Sequence, residues 1–363
     1  MHKLKLGVFL GTRPEIIKTQ PVINEIRTRG HSLIFVHTGQ HYDYNMSDVF
    51  IRQLRLPKPK YFLNSKASSQ GRQTAVIIAK SEKILGKERP DMILVEGDTN
   101  SALGAALAAS KMNIPIGHIE AGCRSFDRSM PEEINRVAIS DLCELSFAPT
   151  KNCVTNLTHE GIPRSRVFLT GHPLVDLLHE VRRKIKNNRT LKKPYSLITI
   201  HRRENVDKPE PLRAILSGIN ELSCDISLVF PCHPHTRKQI AKFKLSHLVR
   251  GVKMIEPVSY FESLELIRNA NFVMTDSGGV QQEAAILGTP CVTLRPVTEW
   301  IETVEAKVNF LTGQRTRDIV IMVHSLLKHY DSIAARARST KDLFGKPGAS
   351  KRILEVIEEY HTR

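Results

Sequence analysis

The segment between residues 91 and 136 constrains the fold of this chain more than any other stretch. It begins with an apolar run, Met92–Val95, continues with small residues over Ser101–Ser110, and returns to an apolar run at Ile114–Ile119. Short apolar runs on either side of a helical segment indicate a strand–helix–strand unit. Because the strands of such a unit run parallel, we expect ligands to bind beyond their carboxyl ends.

Acidic residues follow both of these predicted strands. The first strand ends in Glu96-Gly97-Asp98 and the second in Glu120-Ala121-Gly122, while Glu132 and Glu133 follow Pro131 at an expected helix start. An acidic residue in a first helical turn is usually only a partner of the helix dipole. Three acidic clusters at one edge of a sheet instead indicate acid–base chemistry on a neutral or cationic centre.

The remaining sequence also alternates between strand and helix patterns. The predicted strands are Leu4–Leu10, Leu33–His37, Met92–Val95, Pro115–Ile119, Leu145–Ala148, Val167–Thr170, Ser196–Ile200, Ile226–Phe230, Val252–Ile255, Phe272–Thr275 and Cys291–Leu294. The predicted helices include Glu15–Arg29, Gln70–Leu85, Ser101–Ser110, Pro211–Leu222, Val280–Leu287 and Lys351–Tyr360. Such alternation predicts an α/β fold with parallel sheets.

The length of the chain, 363 residues, exceeds what one hydrophobic core usually serves. The strand–helix pattern restarts after residue 193, so we predict two Rossmann-like domains facing a cleft. The expected boundaries are residues 1–172 for an N-terminal Rossmann-like domain, 173–349 for a C-terminal nucleotide-binding domain and 350–363 for a terminal helix.

Composition and charge reduce the number of functional classes that fit this chain. The formal net charge is +16 and the pI about 9.7, with one dense basic run at Arg182–Lys193. Nucleic-acid binding would explain this charge, but the chain has no such binding motif and only 6% aromatic residues for base stacking. A solvated linker and a site for an anionic ligand explain it better, so we expect no nucleic-acid partner.

The cysteines and the apolar runs indicate the cellular compartment in which this protein is expected. None of the six cysteines forms a C-x-x-C pair, so they are predicted to be reduced and buried. The apolar run Leu6–Leu10 is too short for the core of a signal peptide, and no stretch has the length of a membrane span. We therefore expect a cytoplasmic protein with no membrane partner.

A first candidate phosphate site lies in the motif GTRPEIIK, which follows a strand and opens a helix. Arg13 and Lys18 lie near the helix N-terminus, where a phosphate is favoured. The motif is neither G-x-G-x-x-G nor a Walker A sequence. A structural turn with surface cations explains this stretch equally well.

A second candidate site lies in the motif TDSGGVQQE. Ser277, Gly278 and Gly279 stand between a strand and a helix, and the glycines allow backbone N–H groups to approach an anion. Glu283 follows one helical turn later, within reach of a ribose hydroxyl pair. A tight strand–helix turn is the alternative, but this pattern favours a nucleotide diphosphate site.

Histidines occur at several positions that require different interpretations. His201 and Arg202 follow a predicted strand of the second domain, which places them in the predicted cleft. His118 lies inside a strand and is predicted to be a hydrogen-bonded core histidine. His233 and His235 alternate across a proline, a spacing that rarely chelates one ion, so no metal site is predicted.

Taken in order, several motifs of this chain resemble those of the UDP-N-acetylglucosamine 2-epimerases. These motifs are GTRPEIIK, VEGDTNS, HIEAGCR, PEEINR, GHPLVD, HRREN and TDSGGVQQEA. The resemblance implies the glycosyltransferase-B type of fold, with a C-terminal helix that crosses back to the first domain. It also implies a homodimer that interconverts UDP-GlcNAc and UDP-ManNAc without NAD or metal, in cell-surface polysaccharide biosynthesis.

The resemblance further implies roles for individual residues. The implied catalytic residues are Asp98, Glu120, Glu132 and His201, with Arg136 and Arg202 nearby. The implied UDP ligands are Arg13, Lys18, Ser277, Gly278, Gly279 and Glu283. Gln40 and His41 match a segment near a regulatory UDP-GlcNAc site of bacterial relatives.

The chain departs from the family pattern after the fifth strand of its second domain. Bacterial members often have T-E-R-P-E there, whereas this chain has T-E-W-I-E, so Trp300 replaces a ligand-contacting arginine. Arg295 is close by in sequence, and the segment Val258–Ser263 also differs. A substrate such as UDP-2,3-diacetamido-glucuronate is therefore an alternative.

The residue types fit the implied reaction. Departure of UDP makes the proton on C2 removable, and inversion then needs groups that take and supply a proton on opposite faces. The family mechanism is anti-elimination to 2-acetamidoglucal and re-addition of UDP. The sequence does not assign the base and the acid among Asp98, Glu120 and Glu132.

Two other enzyme classes and a simple binding protein are alternatives to the epimerase. A glycosyltransferase of the same fold would need the Ser-Gly-Gly motif but not three acidic clusters. An NAD-dependent epimerase is disfavoured because no tyrosine has a lysine four residues later. A pure binding module would explain the phosphate motifs but not the acidic ones.

Overall fold

The structure is a computed structural model, in which residues 3–40, 50–182 and 194–362 are described. His41 and residues 183–193 of the basic run lie outside these ranges. The chain forms two compact units, one running up to His179 and resuming at Phe344, the other spanning Glu180–Leu343. Among the described helices, none combines the length and apolar character that crossing a bilayer requires.

The first unit contains a seven-stranded parallel sheet with the order β3-β2-β1-β4-β5-β6-β7. Its strands are β1 Lys5–Leu10, β2 Ser32–His37, β3 Tyr61–Phe62, β4 Met92–Glu96, β5 Ile116–Ile119, β6 Leu145–Ala148 and β7 Val167–Leu169. Its helices are α1 Arg13–Thr28, α2 Gln70–Glu88, α3 Asn100–Lys111, α4 Pro131–Leu142, α5 Lys151–His159, α6 Pro173–Arg182 and α15 Ala349–Tyr360. The central strands β1 and β4 are almost wholly buried, as expected when helices cover a parallel sheet.

The second unit contains a six-stranded parallel sheet with the order β10-β9-β8-β11-β12-β13. Its strands are β8 Ser196–Thr199, β9 Leu228–Pro231, β10 Lys253–Ile255, β11 Val273–Thr275, β12 Cys291–Thr293 and β13 Asn309–Leu311. Its helices are α7 Arg203–Val206, α8 Pro209–Leu222, α9 Pro234–Lys242, α10 Tyr260–Asn269, α11 Gly278–Leu287, α12 Ile301–Glu305, α13 Thr316–Lys328 and α14 Tyr330–Ser339. This is the doubly wound Rossmann order, in which the direction of strand addition reverses beside the first strand.

Small residues bring helix α3 close to its neighbour α2. Ala102, Ala105 and Ala109 are fully buried. A Cβ added to Gly104 would lie 2.7 Å from Cγ2 of Ile77, so no larger residue fits there. Close packing on this face fixes the N-terminus of α3 beside the end of β4.

The last helix, α15, belongs to the first unit. The carboxylate of Asp176 in α6 accepts hydrogen bonds from the backbone N–H groups of Gly348, Ala349 and Ser350 at the start of α15. Near its end, Glu358 lies 2.6 Å from Arg29 at the end of α1. The predicted return of the C-terminal helix to the first domain is confirmed.

The predicted α/β class and almost all predicted elements are confirmed. Two short edge strands, Tyr61–Phe62 and Asn309–Leu311, were not predicted because runs of two or three residues carry too little periodicity. The prediction that all cysteines are buried was wrong for Cys224, which is exposed just after helix α8.

Candidate functional site

The exit of strand β1 begins the candidate site of the first unit. Gly11 stands there because a Cβ would lie 2.0 Å from Oγ1 of Thr38 and 2.1 Å from Oγ of Ser101. Helix α1 then starts with a reciprocal cap, in which Thr12 and Glu15 each accept a hydrogen bond from the other's backbone N–H. The turn therefore places the first residues of α1 directly at the sheet edge.

Glu15 joins this turn to the start of helix α3. Its carboxylate accepts hydrogen bonds from the N–H groups of Gly11 (2.9 Å) and Thr12 (2.7 Å) and from Oγ1 of Thr99 (2.7 Å). Burial raises the pKa of Glu15 to about 7, against the lowering effect of these hydrogen bonds. Because Thr99 caps α3, Glu15 fixes the backbone immediately after Asp98.

Glu120 occupies an unusual backbone conformation at the exit of β5. Its φ is +67°, a left-handed value that non-glycine residues seldom adopt and that is often found at functional sites. Oε2 of its buried carboxylate lies 2.5 Å from Nζ of Lys18 and 2.6 Å from Nε2 of His172. The turn thus aims this carboxylate at two donors, one from α1 and one from the segment before α6.

These donors decide the ionisation of Glu120. Burial alone would raise the pKa of the Glu120 carboxyl, but the Lys18 ammonium and the His172 hydrogen bond outweigh it and hold the pKa well below its usual range. Glu96, at the exit of β4, lies 3.3 Å from the same ammonium, yet burial raises its pKa well above the ordinary value. The pair therefore consists of an anionic Glu120 and a Glu96 that favours its protonated form.

Glu96, Glu120 and His172 also lie close enough together to resemble a metal-ligand set. The ammonium group of Lys18 is 3.3 Å and 2.5 Å from the two carboxylates of this set. It thus supplies the positive charge that a metal ion would otherwise bring to these ligands. The absence of a metal remains a prediction, and this geometry supports it.

Asp98 and Arg136 form the second charged group at this edge. The guanidinium of Arg136 contacts the Asp98 carboxylate and, at 2.8 Å, Oε2 of Glu133. Glu133 in turn accepts hydrogen bonds of 3.0 Å from the backbone N–H groups of Ser125 and Phe126. Helix α4 and the loop before it are thereby fixed to the exit of β4.

Glu132 differs from its neighbour Glu133 in this arrangement. It lies in the first turn of α4 and is half-buried, whereas Glu133 is buried against Arg136 and the preceding loop. Of the two acidic residues after Pro131, Glu133 therefore serves the fold. Glu132 keeps a partly exposed side chain in the first turn of α4.

Arg13 lies at the first position of α1 and is half-buried. Its guanidinium carbon stands 5.4 Å from the ring centroid of Phe50, within cation–π range. Burial lowers the pKa of Arg13, which remains far above neutrality because an arginine stays charged in proteins. Arg13 thus presents a positive charge at a helix N-terminus.

In the second unit, the Ser-Gly-Gly motif lies where predicted, between strand β11 and helix α11. Ser277 is the N-cap of α11, and its Oγ accepts a hydrogen bond of 3.4 Å from Val280 N. A Cβ on Gly278 would lie 2.1 Å from Oε1 of Glu299, while a Cβ on Gly279 would meet only Ser277 Oγ at 3.9 Å. A side chain at 278 would therefore displace the Glu299 carboxylate, whereas position 279 has open space, as an anion site would.

Asp276, just before this motif, organises the exit of strand β8. Its fully buried carboxylate accepts hydrogen bonds from the backbone N–H groups of His201 (3.1 Å) and Arg202 (3.0 Å) and from Nδ2 of Asn205 (2.9 Å). The side chain of His201 is 47% exposed, with Nδ1 3.4 Å from Oδ1 of Asp276. The two predicted motifs of this unit are therefore held together at one sheet edge.

The sequence departure at Trp300 lies in a buried part of the second unit. Trp300 is 1% exposed, and Arg295 forms a 3.0 Å ion pair with the buried Glu299. Glu299 is the same residue that closes the space beside Gly278. Arg295 is thus engaged inside the fold, and Glu283 is buried four residues beyond Gly279.

Three residues of the first site were missed as functional candidates. Glu15 lies inside a motif interpreted for its cations, and His172 is part of the motif GHPLVD without a role of its own. Glu96 belongs to the first predicted acidic cluster, in which only Asp98 was assigned a role. A histidine that follows a strand and a glycine, as His172 does, gives a sequence signal similar to that of His201. His118 is a fully buried core histidine with Nε2 2.8 Å from Gly97 O, as predicted.

Comparisons with known proteins are consistent across nearly the whole chain. Residues 24–358 match the family model described as UDP-N-acetylglucosamine 2-epimerase. A Methanococcus maripaludis UDP-N-acetylglucosamine 2-epimerase is 43% identical, over 97% of this chain and 98% of that protein. A Pseudomonas aeruginosa UDP-2,3-diacetamido-2,3-dideoxy-D-glucuronate 2-epimerase is 38% identical, over 98% of this chain and 99% of that protein.

A solved structure is similar over the same extent. It is the Methanocaldococcus jannaschii UDP-GlcNAc 2-epimerase in complex with UDP-GlcNAc and UDP. It is 40% identical to this chain with a TM-score of 0.89, and the match covers 98% of this chain and 100% of that one.

Proposed function

The chain belongs to the UDP-N-acetylglucosamine 2-epimerase family, and we propose that it interconverts UDP-GlcNAc and UDP-ManNAc by inverting C2. The family predicted from the motifs is confirmed, and with it the isomerase class. The predicted fold of two Rossmann-like units, of the glycosyltransferase-B type, is confirmed as well.

The observation that carries the proposal is the pairing of carboxylates with cations at the exits of β4 and β5. Glu120 lies against Lys18, and Asp98 lies against Arg136. A base must be ionised before it can take a proton, and Lys18 and His172 keep Glu120 in that state. We therefore assign Glu120 as the proton acceptor for one epimer, with Asp98 and Glu132 as candidates for the group on the opposite face.

The proposed reaction balances with these groups alone. The base removes the C2 proton, the C2–H electrons form the C1=C2 bond of 2-acetamidoglucal, and UDP leaves C1 with the electrons of the C1–O bond. UDP then adds back to C1 while an acid delivers a proton to the other face of C2. Microscopic reversibility makes the base of one direction the acid of the other.

The remaining predicted residues would hold the nucleotide or complete the catalysis. We propose UDP or sugar contacts for Arg13, Lys18, Arg136, Arg202, Ser277, Gly278, Gly279 and Glu283, and a catalytic role for His201. Open space at Gly279 beside a helix N-terminus supports the diphosphate part of this assignment. We propose a second role for the Lys18 ammonium, which is to keep the Glu120 carboxylate charged.

The oligomeric state, the compartment, the domain boundaries and the alternative substrate are proposals as well. Within the family we expect a homodimeric cytoplasmic enzyme with residues 1–172 and 173–349 as its two domains. The Pseudomonas aeruginosa relative acts by name on a diacetamido-glucuronate, which keeps a UDP-uronate as the second candidate substrate. The acidic groups at β4 and β5 support both epimerases over a glycosyltransferase.

Incubation of the protein with UDP-GlcNAc alone tests the proposal. Anion-exchange chromatography should resolve UDP-ManNAc at equilibrium, with little free sugar. Conversion of UDP-2,3-diacetamido-glucuronate but not of UDP-GlcNAc would favour the uronate epimerase. No conversion of either, with transfer of sugar only after an acceptor is added, would favour the transferase.

A further inference from the structure

Of the two described residues that donate to the Glu120 carboxylate, Lys18 has an implied role and His172 has none. It follows Gly171 at the end of β7, and its side chain is fully buried. Its backbone N–H donates a 2.9 Å hydrogen bond to the carbonyl of Phe344, where the chain re-enters the first unit. This bond fixes the backbone of His172 against the segment that re-enters the first unit.

The hydrogen bonds of His172 fix its tautomer. The backbone N–H of Leu174 donates to Nδ1 at 3.0 Å, so Nδ1 carries a lone pair rather than a proton. In the neutral ring the proton is then on Nε2, 2.6 Å from Oε2 of Glu120. Burial lowers the pKa of His172, although Glu120 opposes it, and this favours the neutral ring.

The two oxygens of Glu120 are consequently different. Oε2 receives the Nε2–H of His172 and the ammonium of Lys18. Oε1 points toward Gly97, which lies between Glu96 and Asp98 in the sequence. It is 3.8 Å from the position that a Cβ added to Gly97 would occupy. Among the described residues, no hydrogen bond to Oε1 is found.

We infer that His172 is a positioning residue for the epimerase reaction: its Nε2–H fixes Oε2 of Glu120 and leaves Oε1 to exchange the C2 proton. This inference rests on the proposed function, in which Glu120 is the base. Two donors on one oxygen restrict the rotation of the Glu120 carboxylate. The hydrogen bond also favours the charged form of the base.

The pH dependence of this arrangement involves every charged group around the carboxylate. Besides His172, four titratable groups interact electrostatically with Glu120. They are Lys18 from α1, Glu96 from β4, His118 from β5 and Cys123 from the following loop. Within the described part of the chain, the histidine and the lysine are the two groups that donate hydrogen bonds to the Glu120 side chain. Removal of the histidine donor should therefore raise the pKa of Glu120.

Two variants of the full-length protein test the inference. His172→Leu replaces the imidazole with an apolar side chain of similar size that has no hydrogen-bond donor. His172→Gln retains an N–H donor on a side chain of similar length. We expect His172→Leu to lower kcat about 100-fold, the usual scale for a misplaced catalytic group. The KM for UDP-GlcNAc should change less than about threefold, since the nucleotide contacts remain.

The pH profile separates positioning from simple structural support. In His172→Leu the acidic limb of the kcat profile should move to higher pH, because Glu120 protonates more readily. His172→Gln should restore at least about tenfold of the lost kcat and return the limb toward that of the wild type. If His172→Leu does not fold, the acidic limb of His172→Gln still decides: with kcat reduced, it should lie above that of the wild type, and an unshifted limb would overturn the inference.

The outcomes also separate this inference from the proposed function. Wild-type protein that converts no UDP-GlcNAc would refute the proposed function itself. Three results together would overturn only the role of His172. These are an active wild type, an inactive Glu120→Gln variant, and a His172→Leu variant with unchanged kcat and pH profile. Equal activity losses in both His172 variants, without any shift of the acidic limb, would also overturn it.

Discussion

Nζ of Lys18 lies 2.5 Å from Oε2 of Glu120, and the two side chains are almost completely buried. The same ammonium is 3.3 Å from Glu96, so one cation serves two carboxylates from neighbouring strands. Burial acts to lower the pKa of Lys18, but Glu120 and Glu96 together raise it above its ordinary value. Lys18 is therefore a buried counter-ion for the acidic centre of the first unit.

The first prediction concerns this counter-ion. Lys18→Met should lower the free energy of unfolding by about 3 kcal/mol, because it leaves a buried charge without its partner. Denaturant unfolding measures this loss. Lys351→Met is the matched control, because Lys351 faces Glu355 at 3.8 Å on an exposed surface and should contribute little. Equal small effects in the two variants would show that the buried ion pair does not stabilise the unit.

The second prediction concerns the proposed acid–base groups. Asp98→Asn, Glu120→Gln and Glu132→Gln should each lower turnover at least ~100-fold, the usual scale for loss of an acid–base group. UDP affinity, measured by calorimetry, should largely survive because these groups are proposed to act on the sugar. Glu265→Gln, on the partly exposed helix α10, is the matched control. Near-normal turnover in all three variants would contradict the assignment.

The third prediction compares two adjacent glycines. Gly278→Ala should cost about 2 kcal/mol of stability, since its Cβ would collide with Glu299. Gly279→Ala should unfold like the wild type but bind UDP about tenfold more weakly, a loss of about 1.4 kcal/mol. Its Cβ would occupy the open space at the start of α11. Wild-type UDP affinity in Gly279→Ala would place the diphosphate elsewhere.

The fourth prediction follows from the raised pKa of Glu15. Burial raises this pKa from 4.5 to about 7, so the folded protein binds more protons than the unfolded chain within that window. The stabilisation from the protonated carboxyl is complete below about pH 4.5 and is lost as the pH rises through about 7.

Glu15→Gln removes this proton-binding difference. Between pH 4.5 and 7, the wild type should therefore lose up to about 3 kcal/mol of stability relative to the variant. Glu355→Gln, on the exposed face of α15, should follow the wild type at every pH. A constant difference between wild type and Glu15→Gln across this range would mean that Glu15 is not perturbed.

The sequence was sufficient for the fold because strand and helix periodicities are local properties. Each apolar run that leads into a turn, such as Met92–Val95, could be placed without knowing its neighbours in the sheet. The ends of the strands also located Asp98 and Glu120, because a parallel sheet gathers its carboxyl ends at one edge. Edge strands of two or three residues carried no comparable pattern.

The partners of the site residues could not be predicted in the same way. The contact between Lys18 and Glu120 joins residues 102 positions apart, and that between His172 and Glu120 joins residues 52 apart. Neither spacing is encoded by a local pattern. The choice between Glu132 and Glu133 likewise depended on which carboxylate met Arg136 after helix α4 had packed.

Solvent exchange at C2 tests the central claim most directly. With UDP-GlcNAc as the only substrate in deuterium oxide, the wild-type protein should form UDP-ManNAc that carries deuterium at C2, together with little free sugar. NMR and mass spectrometry measure both quantities. A transferase would give no exchange without an acceptor, and a hydrolysing enzyme would accumulate free ManNAc. UDP-ManNAc that retains its original proton at C2 would contradict elimination and re-addition through a carboxylate base.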